Sequence, residues 1–319
     1  MNEILHKFYR SCIVTTLLIY ILILVGGFVR VTSSGDDCPD WPKCYGSWFP
    51  PTIVSDIPDK FNPSQDKVYG AWIEYFNRLV GVIVGLSMIY TFSISIKVRT
   101  IDKKIFYSSF ISLVLIIISG WFGGQIAQNI NGENMINQHT VSIHLYLAML
   151  IVIIMVYTSH RSFLLMNPTV ENNSKYSNIT VPLIYIIFST ILLDIISGSL
   201  VRTFIDSYSM SLTYFQRIEK YATDLGFLRF IHPVLGFLLL TIIGIFWNHI
   251  MNLSKPSKLV KLLTRFLFYI VIFQVVLGEG LRYGLLHESF RLYHLWLGSC
   301  LLGIVVLLMH RLNYHKTLR

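Results

Sequence analysis

Charge is what this sequence has least of. Only 13% of its 319 residues are Asp, Glu, Lys or Arg, against 54% hydrophobic, a balance outside that of ordinary soluble domains. Proline is sparse as well, and none of the ten prolines falls in the middle of a long apolar run. The broken helices that build transport sites near the bilayer middle are therefore not expected. Of only four cysteines, Cys12 and Cys300 sit inside apolar runs and read as small apolar residues.

What is present is a series of apolar runs, near 11–32, 71–96, 105–127, 139–159, 178–201, 227–250, 262–283 and 290–311. Each suffices for a membrane-crossing helix, which needs about 20 mostly apolar residues. The expected fold is an all-α membrane protein of eight transmembrane helices. No small-residue cleavage site follows the first run, so it reads as a permanent span rather than a signal peptide. The net charge of +9 does not point to nucleic acid, because the basic residues gather on alternate loops. Lys7 and Arg10, then Lys97 to Lys104, Arg161 and Lys175, Lys255 to Arg265, and Arg311 to Arg319 share one side. The positive-inside rule makes that side cytoplasmic, and both termini are predicted there.

The two halves repeat one another. "HLYLAMLIVII" from His144 corresponds to "HLWLGSCLLGIVV" from His294, and "NRLVGVIVG" from Asn77 to "HPVLGFLLL" from His232. "GGFVR" and "GSLVR" correspond too, ending at Arg30 and Arg202. Four helices per copy is an even number, so the copies keep one orientation and form two parallel-related four-helix bundles. The expected division is an N-terminal unit at 1–161 with an outer loop at 33–70, a cytoplasmic linker at 162–177, and a C-terminal unit at 178–319.

Polar residues inside the spans carry the chemistry. Glu74, Asn77 and Arg78 share one helical turn at the mouth of the second span. His144, His232 and His294 lie one to two turns inside the outer ends of spans four, six and eight, where ionisable side chains are rare and usually functional. A lone histidine there is ordinarily an interhelical hydrogen bond. Three at matching depth, two of them at equivalent repeat positions, point to ligands. No further His, Cys or carboxylate at that depth completes a zinc site, whereas imidazoles facing one another from separate helices suit the axial positions of a haem iron. Gly236, Gly298 and Ala148, one turn deeper than the three histidines, leave space for a flat macrocycle, although close helix packing explains the same spacing.

Haem propionates need cationic partners. Arg30, Arg78, Arg202, Arg229, Arg282 and Arg291 stand at outer span ends, with Arg78 and Arg202 the first choices and snorkelling to head groups the competing account. Asp194 and Glu279 read as paired structural charges, Asp194 with a buried cation or with Ser189 or Ser197, Glu279 with Arg282 or bordering the haem. In the outer loop, Cys38 and Cys44 lie close together in "DDCPDWPKCYG". An oxidising compartment permits a disulfide there; two free thiols, or a metal with further ligands, are the alternatives.

The stretch "GGFVRVTSSGDDCPDWPKCYGSWFPP", the acid-x-x-ligand turn at Glu74, "IHLYLA" at His144, the His232 turn and "YHLWLG" at His294 resemble the haem A synthases. These are eight-span membrane enzymes of cytochrome oxidase assembly, and the resemblance runs over nearly the whole chain. It implies an oxidoreductase that converts a methyl group of haem O to the formyl group of haem A. Haem B would be held in the C-terminal unit by His232 and His294. Haem O as substrate and haem A as product would occupy the N-terminal unit, with His144 as iron ligand and Arg30 beside it. Glu74 would be the catalytic acid, Asn77 its neighbour in the site, and Cys38–Cys44 the loop disulfide. Implied partners are membrane lipid, haem O, the farnesyltransferase that makes it, an electron acceptor and a second copy of the chain. The implied location is a cell membrane, with the haem sites toward the non-cytoplasmic side.

Two departures from the family matter. At position 77 the usual residue is His, and this chain has Asn, a weak iron ligand that is no base near neutral pH. The substrate iron is then five-coordinate through His144, or His139 substitutes from roughly 140° around the helix axis, or the site has lost its synthase activity. The last outcome would leave a non-catalytic haem-binding or electron-transfer protein of oxidase assembly. The second departure is the 203–226 loop, which lacks the cysteine pair some members carry.

Overall fold

The computed structural model describes residues 2–35, 37–128, 135–167, 179–207, 212–254, 256–285, 287 and 289–313. The helices are α1 (Asn2–Val31), α2 (Gln65–Val98), α3 (Lys103–Gln128), α4 (Met135–Met166), α5 (Thr180–Ser207), α6 (Tyr214–Leu225), α7 (Ile231–Met251), α8 (Lys258–Arg282) and α9 (Phe290–Leu312). Eight helical stretches are long and apolar enough to cross a membrane, as the apolar runs require. Large apolar side chains remain uncovered along them: Leu86 is 62% exposed, Ile117 63% and Leu193 56%. Such faces are stable only against lipid. The molecule is a multi-pass membrane protein.

Helix ends outrun the apolar runs where a polar residue caps them. Ser64 Oγ accepts from the backbone N–H of Lys67 at 3.3 Å and starts α2. Ser257 Oγ does the same for Val260 at 3.2 Å and starts α8. These hydroxyls satisfy amides that the helix itself leaves open. α4 continues to Met166, so the first residues of the expected 162–177 linker are helical, and 168–177 lie outside the described residues.

The chain forms two compact units, Met1–Thr158 and Ser159–Arg319. In the first, α1 packs on α2 and α2 on α3. Thr15 Oγ1 joins α1 to α2, 2.7 Å from Ser87 Oγ and 2.9 Å from Thr91 Oγ1, and Thr158 Oγ1 donates to Ser108 Oγ at 2.8 Å. Such bonds between spans contribute about 0.6 kcal/mol each. In the second unit α5 packs on α7 and α9, and α8 on α7 and α9. Thr180 Oγ1 lies 2.8 Å from His249 Nε2, and Trp247 stacks on Phe268 with centroids 4.8 Å apart.

The 203–226 stretch, expected as a loop, holds the amphipathic helix α6. Thr213 and Gln216 form a reciprocal capping box: Thr213 N–H donates to Gln216 Oε1 at 2.8 Å, and Gln216 N–H donates to Thr213 Oγ1 at 3.3 Å. Ile218, Tyr221 and Leu225 then cover Val201 and Ile205 of α5. Thr213→Ala removes the cap at a cost of about 0.5–2 kcal/mol. Hydrogen exchange is expected to speed up across residues 214–225 and to stay unchanged in the spans.

Candidate functional site

In the first unit, the opening turns of α2 hold down the loop of residues 32–64. Glu74 is only 3% exposed. Its Oε2 accepts the backbone N–H of Cys38 at 2.8 Å, and its Oε1 accepts Arg78 Nε at 3.1 Å and Nη2 at 2.5 Å. Arg78 Nη1 also donates to the carbonyls of Asp40 at 2.8 Å and Lys43 at 2.7 Å, and Nη2 to that of Cys38 at 2.8 Å. A guanidinium has five N–H donors, and every one is used. Cys38 and Cys44 are disulfide-bonded and pack on Ala71. Further out, Trp41 lies on Gly124 of α3, where a Cβ would meet the indole at 3.4 Å.

Asn77 turns toward α1 instead. A Cβ on Gly26 would stand 3.6 Å from its Oδ1, and that oxygen is buried without a hydrogen-bond partner among the described residues. His144, on α4, is half-buried; its Nδ1 is 3.3 Å from Ser119 Oγ of α3. Gly123 of α3 lies under the ring, 3.6 Å from Cε1 to a Cβ at that position.

The second unit repeats this arrangement with different side chains. His232 of α7 rests on Gly198 of α5, where a Cβ would come within 2.8 Å of Cε1. His294 of α9 rests on Gly278 of α8, with 3.2 Å for the same measure. Gln274 Nε2 donates to the carbonyl of His294 at 2.7 Å, and His294 Nδ1 is buried with no hydrogen-bond partner among the described residues. The His232 and His294 ring centroids are 6.0 Å apart, with planes at 90°. A metal bonded to two imidazole nitrogens at about 2 Å each, with the ring radii added, sets the centres about 6 Å apart. Among the described residues, no group of three or more His, Cys, Asp or Glu could hold a bare metal ion. The donor set therefore fits a centre that brings its own equatorial ligands, as haem does.

The sequence matches the cytochrome oxidase assembly protein family over residues 9–306. The chain belongs to that family. Similar proteins include the heme A synthase of Orientia tsutsugamushi (strain Boryong), 30% identical over 156 residues, 44% of this chain and 43% of that protein. The heme A synthase of Wolbachia pipientis wMel is 24% identical over 296 residues, 82% and 80% of the two chains. That of Ehrlichia canis is 29% identical over 199 residues, 57% and 56%. The matched segment thus spans less than half of the Orientia protein.

Within this family member several expected roles shift. Arg78 stood as a propionate partner, yet all its donors serve Glu74 and the loop, so it is the clamp of the loop. His139 is exposed on a regular turn of α4, which removes the non-helical start it would need to reach the His144 site. Among the described residues Gly236 has nothing within 4 Å of a Cβ, and Gly298 faces Gln274; the glycines that touch the imidazoles belong to neighbouring helices. Asp194 meets His232, with Oδ1 2.8 Å from Nδ1, and not a hydroxyl. Glu279 pairs with Arg282 at 3.3 Å. Arg229 donates to the carbonyl of Ala222 at 2.8 Å, and Arg229 and Arg282 approach the Phe230 ring at 4.8 and 5.1 Å. Arg30 and Arg202 are half-buried in α1 and α5.

Sequence reading missed the glycine cradles. Their signal lay in the repeat: Gly26 and Gly198 both open the "G-x-x-V-R" stretches, and each lies under the residue at the equivalent place in the next packed helix. For the clamp, Arg78→Ala leaves Glu74 and the loop carbonyls without donors. Removing one partner of such a buried pair costs about 3–5 kcal/mol, read as a lower unfolding midpoint in detergent. Arg78→Lys is expected to recover only part of it, because an ammonium cannot reproduce the fork.

Proposed function

We propose that this protein is a haem A synthase, an oxidoreductase that takes a methyl group of haem O to the formyl group of haem A. The observation that carries the reading is the pair of imidazoles, His232 and His294, set 6.0 Å apart over glycines. A family member with the same cradle repeated in its other unit gives that pair its meaning. His232 and His294 would hold haem B in the second unit, where it would supply electron-transfer chemistry, while Gly198 and Gly278 allow the rings to sit close against α5 and α8.

In the first unit His144 is the ligand to the substrate's iron. Asn77 stands where the second unit has His232, and its amide oxygen is a weak donor, so the substrate iron keeps one open axial face. Glu74, one turn from Asn77 on α2, is the group assigned to accept a proton from the reacting carbon. For that its Oε2 leaves the Cys38 amide, which ties proton transfer to movement of the disulfide loop. Methyl-to-formyl conversion removes electrons and protons and adds an oxygen atom. It requires an electron acceptor outside this chain and an oxygen source such as water. The charge pattern supports termini on the cytoplasmic side of a cell membrane, with the loop and both haem sites toward the other face.

One observation favours a second reading, a haem-binding assembly protein without synthase chemistry: the unpartnered Asn77 in place of an imidazole. Expression beside a haem O producer separates the two. Haem A in the extracted pigment supports the synthase, and haem O alone supports the second reading. His232→Ala or His294→Ala is expected to deplete b-type haem from the purified protein. Glu74→Gln, which keeps the size but not the basicity of the carboxylate, should abolish conversion and leave b-type haem in place. Gly198→Ala, which forces a Cβ to within 2.8 Å of the His232 ring, should lower haem content. Gly26→Ala, at an ordinary 3.6 Å contact, should leave it unchanged.

A further inference from the structure

We infer that Asp194 is a positioning residue for His232, holding the Nδ1 proton so that Nε2 is presented as the ligand nitrogen and made the stronger donor of the axial pair. The inference rests on the reading of His232 and His294 as haem B ligands and extends it to what sets the iron's electronic character. Asp194 Oδ1 lies 2.8 Å from His232 Nδ1. That oxygen is buried and makes no hydrogen bond of ordinary angle among the described residues, so the His232 imidazole at ion-pair distance is the group a small ring rotation would bond to it. A carboxylate within a span costs about 2.5–3.5 kcal/mol, so it requires a partner, and the imidazole is the group within reach. Ser197 Oγ, which donates to the carbonyl of Asp194 at 2.9 Å, stands 3.3 Å from the same Nδ1. One nitrogen of His232 is thereby engaged on α5, and only the other is available to a metal.

The repeat supplies an internal control. Asp194 lies four residues before Gly198, and the residue four before Gly26 is Leu22. The first unit thus has neither the imidazole nor the acid, and the second has both. Among the described residues the partner ligand has no such support, since His294 Nδ1 makes no hydrogen bond, and His144 meets the hydroxyl of Ser119 at 3.3 Å. As ligands the two imidazoles would therefore be unequal. A carboxylate behind a metal-bound imidazole raises its basicity, orients the ring and commonly changes metal affinity or activity by about 10–100-fold. Stronger donation favours the oxidised iron, so Asp194 holds the haem potential low.

The test is redox titration and haem retention of purified full-length protein, wild type against Asp194→Asn and Asp194→Glu. Asp194→Asn is expected to shift the midpoint potential upward and to release haem about 10–100-fold more readily, with Asp194→Glu returning toward wild type. Wild-type potential and retention in Asp194→Asn would overturn the role of Asp194 alone; a wild-type protein without b-type haem would overturn the ligand assignment with it. If Asp194→Asn does not accumulate, the low-spin ferric EPR spectrum of the wild-type protein decides. A ligand field with imidazolate character supports the inference, and that of two neutral imidazoles sinks it.

Discussion

Hydrocarbon offers no hydrogen-bond partner to a polar side chain, and this constraint organises everything of interest in the protein. Many threonines and serines of the spans bond to one another, to their own backbone or to a histidine. The few ionisable residues find specific partners: Glu74 finds Arg78 and an amide, Asp194 an imidazole, Glu279 an arginine. Buried polar atoms without a hydrogen bond among the described residues are therefore informative, and two of them, His294 Nδ1 and Asn77 Oδ1, lie in the glycine cradles where the proposed pigments belong.

The clamp and the cradle share helix α2. Glu74 and Arg78 face the loop from one side of its opening turns, and Asn77, within the same turn, faces α1. A shift of α2 that moved the loop would move the cradle as well. Covering the site and shaping it are thus mechanically one event. The disulfide closes a short segment whose backbone carbonyls Arg78 gathers, and Trp72 Nε1, donating to the carbonyl of Pro51 at 3.0 Å, ties a later part of the loop to the same helix.

Much of this was legible in the chain. Apolar runs of bilayer length dictate helices whatever the tertiary structure, so the eight spans could be read directly, and polar residues within them stood out against that background. Helix ends were less legible, because Ser64 and Ser257 act through single hydroxyls beyond the apolar runs. α6 was hidden because its stability comes from a capping box and from one face laid on Ile205, neither of which raises local hydrophobicity. Partner choice was the least legible. Whether Asp194 meets Ser197 or His232 depends on how α5 is rotated against α7. Whether Gly236 or Gly198 underlies the His232 ring depends on the same angle, which no linear spacing encodes.

Gly26 sits beneath Asn77 as Gly198 sits beneath His232, although an asparagine asks for no such clearance. The floor is common to both copies, while the furniture on it differs. Position 77 is where the resemblance leads one to expect an imidazole, so the clearance under the asparagine is the clearance a ring would use. The first unit thus has the outline of a two-handed grip worked with one hand, and a ring placed at position 77 would find its floor already cleared.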